Sequence, residues 1–88
     1  MKIAVDVSLY PLDANYVAPI KDFIDRLGRR AGIALEVNAL STQVRGEVDA
    51  VFDALRSEVS ATLAASDAAV FVLKVVGGRR ALAPHAGR

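Results

Sequence analysis

A chain of 88 residues with 11 Lys and Arg against 10 Asp and Glu carries a net charge of +1, which gives no electrostatic basis for nucleic acid or an anionic membrane as its main partner. It has no cysteine, so disulfides, thiolate metal sites and a cysteine nucleophile are excluded, and no apolar run approaches the ~20 residues that span a bilayer. A single domain of this size buries only roughly 60–65% of its unfolded surface, so a hydrophobic content of 53% points to a second buried surface, and hence to self-association.

Lys2 to Tyr10 alternates. Ile3, Val5, Val7 and Leu9 fall on one face, and Lys2, Ala4, Asp6, Ser8 and Tyr10 on the other, the period-two pattern of a half-buried strand. Pro11 is expected to end it, because proline donates nothing to a ladder. This opening reads as a strand and not as a charged leader followed by an apolar signal core, so the expected location is the cytoplasm. From Tyr16 to about Ala31 the period changes. Val17, Ile20, Ile24, Leu27 and Ala31 recur at three- and four-residue steps, flanked by Tyr16 and Phe23, which predicts an amphipathic helix. Asp13 or Asn15 is placed to cap it, Pro19 falls in its first turn, and Gly32 is expected to stop it.

Ile33, Leu35, Val37 and Ala39 alternate with Ala34, Glu36, Asn38 and Leu40 as a second strand. Ser41 to Arg45 suits a brief third strand in a hairpin with it. Gly46 to Ala65 predicts a long helix with the stripe Val48, Val51, Phe52, Leu55, Val59 and Leu63, and with Glu47 and Asp49 in the dipole-favoured first turn. Ala69 to Val76 is an apolar strand interrupted by Lys74 and ended by Gly77 and Gly78. The order β, α, β, β, α, β predicts an α+β, ferredoxin-like domain over residues 1–76. Its four-stranded antiparallel sheet has both helices on one face. Residues 77–88 form a basic tail expected to be flexible. The face without helices carries Asp6, Ser8, Tyr10, Glu36 and Asn38 among apolar residues, and must meet solvent, another subunit or a ligand.

Ser8-Leu9-Tyr10-Pro11-Leu12, Tyr16 with Pro19-Ile20, the run Asn38-Ala39-Leu40-Ser41-Thr42-Gln43-Val44 followed by Gly46-Glu47, and Val70-Phe71-Val72-Leu73-Lys74 together resemble the YkoF-related, thiamine-binding small-protein family. The likeness extends over about Met1 to Val76, and its most specific piece is Ser-Thr-Gln-Val-x-Gly-Glu. It implies a ferredoxin-like fold, assembly through the sheets into dimers or tetramers, and binding of thiamine or its hydroxymethylpyrimidine moiety. Some relatives carry two such domains in tandem, so a site needing two domains would here need a second chain.

The candidate ligand-binding residues are Ser8, Tyr10, Asn38, Ser41, Thr42 and Gln43. An aminopyrimidine presents ring-nitrogen acceptors and an amine donor, which hydroxyls and a carboxamide can answer. The competing reading of Ser41, Thr42 and Gln43 is hairpin chemistry, since such hydroxyls bond nearby backbone. Tyr10 suits stacking on a flat ring or a subunit contact equally. Asp6 and Glu36 suit a cationic or amine group, or else solvent or a salt bridge with Lys74. His85, the one histidine, sits in the tail beside Pro84 with nothing near it in sequence to complete a triad or metal site. Gly77-Gly78 is a strand terminator and not a phosphate loop. Arg79 and Arg80, which with Arg88 hold the basic excess, suit a solvated tail better than contact with an acidic partner. No catalytic residue, cofactor or metal is expected. The chain is expected to be a non-catalytic carrier, buffer or sensor of the small molecule. The alternative is a structural or regulatory oligomerisation module with no ligand. An RNA-binding sheet needs stacking aromatics, which Thr42 to Arg45 does not supply.

Overall fold

A computed structural model describes residues 1–39 and 41–78. The elements are β1 (Lys2–Pro11), α1 (Val17–Gly28), β2 (Ile33–Val37), β3 (Thr42–Glu47), α2 (Val48–Ala65) and β4 (Ala69–Val76). The strands lie in the order β2-β3-β1-β4, every neighbouring pair antiparallel. This is the expected ferredoxin-like α+β fold, with two crossovers joined by the β2–β3 hairpin.

Register sets the faces. Val5 pairs with Val44 on one side and Val75 on the other, and Val7 with Thr42 and Leu73. Directly opposed residues share a face, so Ile3, Val5, Val7, Val44 and Thr42 point to the helices. These strand residues meet Phe23 and Leu27 from α1 and Val51, Ala54 and Leu55 from α2 in the buried core. Phe23 and Phe71 pack as a tilted ring pair, centroids 5.1 Å apart.

Several element limits differ from expectation. Pro11 belongs to β1 and pairs with Ala69. Its missing N–H costs nothing there, because the ladder to β3 has already stopped. α1 ends at Gly28 and not near Ala31, where the Arg29 and Arg30 amides donate back to the Arg26 and Leu27 carbonyls in tightened i→i+3 turns. Gly32, at φ 83°, turns the chain into β2 instead of stopping the helix. Neither Asp13 nor Asn15 caps α1. The N-cap is Tyr16, without a side-chain cap bond, and the Asp13 carboxylate instead accepts from the Asn15 amide. Ala39 lies in the turn after β2 and not in the strand.

Gly46 and Glu47 close β3 and do not open α2. Gly46 lies between Ile3 and Ile33, and a Cβ there would sit 2.8 Å from the Gly32 carbonyl oxygen. Only glycine lets the strands approach this closely. The Val48 amide donates to the Met1 carbonyl, which serves the start of α2 in place of a side chain.

The buried stripe of α2 is also rotated from the expected one. Glu58 and Thr62 are buried while Phe52 and Leu63 are exposed. The cause is the seam with α1. Arg26 Nε donates to Glu58 Oε1 at 2.8 Å, Arg30 Nε to Glu58 Oε2 at 2.9 Å, and an Arg26 terminal nitrogen to Thr62 Oγ1 at 2.6 Å. Burial pushes the Glu58 carboxyl up, but bonding to Arg30 and Arg26 outweighs it and holds the group below its ordinary value. On α1, Phe23 is a core residue and Val17 is exposed. The expectations for Arg79, Arg80, His85 and Arg88 lie outside the described residues.

Candidate functional site

β1 is longer than its partner on one side. The β1–β3 ladder ends at Val7 opposite Thr42, whereas the β1–β4 ladder runs on to Pro11 opposite Ala69. The stretch Ser8–Pro11 is therefore held by β4 along one edge and overhangs the start of β3 along the other. The Leu12 amide donates to the Ala68 carbonyl, so even-numbered backbone groups of β1 face β4. By alternation, the N–H and C=O of Leu9 face the overhang.

Under this overhang lies a cavity of about 160 Å³. Ser8, Leu9 and Tyr10 form one wall, Ile20, Phe23 and Ile24 of α1 form the floor, and Val37 to Ala39 with Ser41 and Thr42 form the opposite wall. Of the six candidate residues, the structure brings together Ser8, Tyr10, Asn38, Ser41 and Thr42. Gln43 is left out. It stands on the face away from the helices, opposite Asp6 and Glu36.

The hairpin geometry fixes the near wall. The Asn38 amide donates to the Ser41 carbonyl at 3.0 Å, and the Ser41 amide donates to the Asn38 side-chain oxygen at 3.0 Å. The turn chemistry anticipated for this run is thus present, and it orients the wall. The Ser41 hydroxyl donates to Asp6 Oδ1, which leaves its oxygen lone pairs as acceptors. Thr42 faces inward and is buried, whereas Tyr10 is exposed at the mouth. Among the described residues no ion pair joins Asp6 to Lys74, although the two are opposed in register. Glu36 is exposed on the edge strand β2.

Sequence reasoning missed the apolar floor. Ile20 and Ile24 read as ordinary members of a core stripe, and only the shortness of β3 relative to β1 turns that stripe into a cavity lining. A second strip on α1, with Tyr16 and Val17 at the surface, shares Ile20 and Ile24 with the cavity and continues it outward. Another hollow of about 220 Å³ lies between α1 and the end of α2, but its Arg26 and Thr62 bond each other, and Arg26 also holds Glu58. Among the described residues no cluster of three or more His, Cys, Asp or Glu is arranged to hold a metal, and no helix is long and apolar enough to cross a membrane.

The class is a ferredoxin-like α+β domain with a cavity at one end of its sheet, floored by α1 and walled by Ser8–Tyr10 of β1 and by the β2–β3 hairpin. The chain belongs to the YKOF-related family, whose model matches residues 2–73. Among solved structures, it is similar to a hypothetical protein from Methanocaldococcus jannaschii at 26% identity, with 90% of this chain and 82% of that one covered and a TM-score of 0.78. A protein from Streptococcus pneumoniae matches at 20% identity, coverage 94% and 93%, TM-score 0.84. A candidate thiamine biosynthesis/salvage protein from Thermotoga maritima matches at 20% identity, coverage 85% and 82%, TM-score 0.65. No curated protein matches the chain.

Proposed function

We propose that this chain binds thiamine or its hydroxymethylpyrimidine moiety in the cavity beneath Ser8–Pro11, without transforming it, as a carrier, buffer or sensor. The observation that carries this reading is the convergence of Ser8, Tyr10, Asn38, Ser41 and Thr42 on one cavity with an apolar floor. Ile20, Phe23 and Ile24 supply the apolar contact a flat ring needs, and the hydroxyls and amide supply its hydrogen bonds. Membership of the YKOF-related family, and the likeness to the Thermotoga protein, support the ligand class.

Size narrows the expected mode. A pocket that encloses a whole drug-sized ligand starts at about 300 Å³. The cavity, at about 160 Å³, is the right size for a single substituted ring. The pyrimidine enters and the rest of thiamine lies outside, over the strip of α1 that carries Tyr16 and Val17.

The helix-free sheet face is proposed to meet a second copy. It carries Lys2, Arg45 and Lys74 against Asp6, Glu36 and Glu47, with exposed Val70, Val72 and Val76 at one side. Equal numbers of both signs suit self-complementary stacking. This face also supports the second reading, an oligomerisation module with no ligand.

Titration calorimetry with thiamine, hydroxymethylpyrimidine and a control nucleoside separates the two. Saturable heats for the first two alone are expected. Ser8→Ala with Tyr10→Ala should weaken them at least tenfold while leaving the melting temperature within a few degrees. Equal weak heats for all three compounds would end the ligand reading. The module reading would then stand if sedimentation over a dilution series still gave an oligomer.

A further inference from the structure

Ser41 stands where the ladder between β1 and β3 gives out. That ladder ends at Val7 opposite Thr42, so one step further in the same register Ser41 comes level with Ser8, across the gap that forms the cavity. Asn38 takes both backbone polar groups of Ser41: the Ser41 amide donates to the Asn38 side-chain oxygen, and the Ser41 carbonyl accepts from the Asn38 amide. What Ser41 can offer the cavity it lines is therefore its hydroxyl. That group has one proton and two lone pairs, and the proton goes to Asp6 Oδ1.

Asp6 is not among the residues that line the cavity. It sits half-buried on the far face of the sheet, opposite Gln43 and diagonal to Ser41. Lys74 opposes it from β4, yet among the described residues no ion pair joins the two. An ionised carboxylate only accepts, which fixes the direction of the bond from Ser41. A charge-assisted bond is roughly twice as strong as a neutral one, so Asp6 outcompetes a neutral acceptor in the cavity for that proton. Turning the hydroxyl away would also leave the half-buried carboxylate short of a donor.

We infer that Asp6 is a positioning residue for the cavity. By holding the Ser41 proton it makes that wall an acceptor, and so selects a flat ring with an exocyclic amine over the same ring with an oxo group. The inference rests on the reading of this cavity as the ligand site. The facing wall agrees with it. The Leu9 N–H and C=O face the overhang, a donor beside an acceptor. An amine carries two N–H bonds, one for the Leu9 carbonyl and one for the Ser41 oxygen, and the ring nitrogen next to it accepts from the Leu9 amide. The oxo ring has the reverse pattern, an N–H beside an oxygen, and sets its oxygen lone pairs against those of Ser41. Among the described residues no carboxylate fixes the hydroxyls of Ser8 and Thr42, which can turn to suit either ring. The choice between the two rings thus falls to Ser41, and through it to Asp6.

Titration calorimetry tests this with hydroxymethylpyrimidine, which carries the amine, and with its counterpart that has oxygen in place of that amine. A site built to bond a group rejects the analogue that lacks it, and the wild type should prefer the amino compound at least about a hundredfold. Asp6→Ala frees the Ser41 proton for the ligand and should narrow that preference at least about tenfold, chiefly through tighter binding of the oxo compound. Ser41→Ala should narrow it as well, and adding Asp6→Ala to Ser41→Ala should change it no further. A purely structural role for Asp6 would weaken both compounds alike. An unchanged ratio in Asp6→Ala, with both compounds still bound, therefore overturns the inference. If circular dichroism shows that Asp6→Ala does not fold, Ser41→Ala decides alone, and a wild-type ratio in that variant overturns it equally. No saturable binding of either compound by the wild type would remove the ligand reading itself and this inference with it, a result distinct from an unchanged ratio.

Discussion

Replacing Glu58 by alanine tests whether the two helices are held by the charged seam or merely by the core beneath it. Glu58 is 10% exposed and accepts from two guanidinium groups. Removing one member of a fully buried ionic cluster costs about 3–5 kcal/mol, because the remaining charge is left without a partner. Here Arg26 and Arg30 are 31% and 38% exposed, so water takes up part of their charge, and the expected loss falls to about 2–3 kcal/mol. For a domain of this size that is about 10–20 °C in melting temperature. Glu58→Gln keeps the shape but turns an amide donor toward an arginine donor, and should cost about 1–2 kcal/mol. Urea denaturation at pH 7 measures both. The pH dependence adds an independent arm. The folded-state value of Glu58 lies below its ordinary 4.5, so the unfolded chain takes up the proton first. Its stabilisation is complete above about pH 4.5 and is lost as pH falls through the lower folded value. The wild type should therefore weaken in that window more steeply than Glu58→Gln. A loss under ~0.5 kcal/mol for Glu58→Ala, with parallel acid profiles for wild type and Glu58→Gln, would refute the seam as a stabilising element.

Three further outcomes follow from the packing. Gly46→Ala forces a Cβ to within 2.8 Å of the Gly32 carbonyl and should cost about 1–3 kcal/mol in chemical denaturation. Gly28→Ala meets only Leu35 at an ordinary 3.6 Å, at the end of a helix, and should be neutral or stabilising by up to ~1 kcal/mol. Phe23→Ala removes a fully buried ring packed on Phe71 and should cost about 3–5 kcal/mol in the same assay.

The strands were legible where one face is apolar throughout. Ile3, Val5, Val7 and Leu9 placed β1, and the apolar richness of Ala69 to Val76 placed β4 to the residue. The start of α2 was not legible. Gly46-Glu47 followed by Asp49 has the composition of a helix opening, and the need for glycine between Ile3 and Ile33 is a tertiary fact. The face of α2 was misread for a related reason. A stripe count favours Phe52 and Leu63, but Glu58 and Thr62 are buried because Arg26 and Arg30, some 30 positions earlier, answer them. Sequence proximity grouped Ser41, Thr42 and Gln43. Strand parity then separates Thr42, which faces the helices, from Gln43, which opposes Asp6 on the far face, while Ser41 at the start of the strand turns its hydroxyl to that same Asp6. Tyr10 and Asn38 reach one cavity only because β1 outruns β3, a difference in length that no local pattern contains.

That difference in length makes the hollow adjustable apart from the core. Two more paired residues at the tip of the hairpin would zip along Ser8 and Leu9 and leave solid sheet where the chamber stands. Two fewer would widen it toward the surface of α1. Val5, Leu27 and Val51, which keep the chain folded, would sense neither change. In a fold of this kind the reach of a single turn can meter the size of the guest, so related chains are free to diverge in what they accept without renegotiating how they fold.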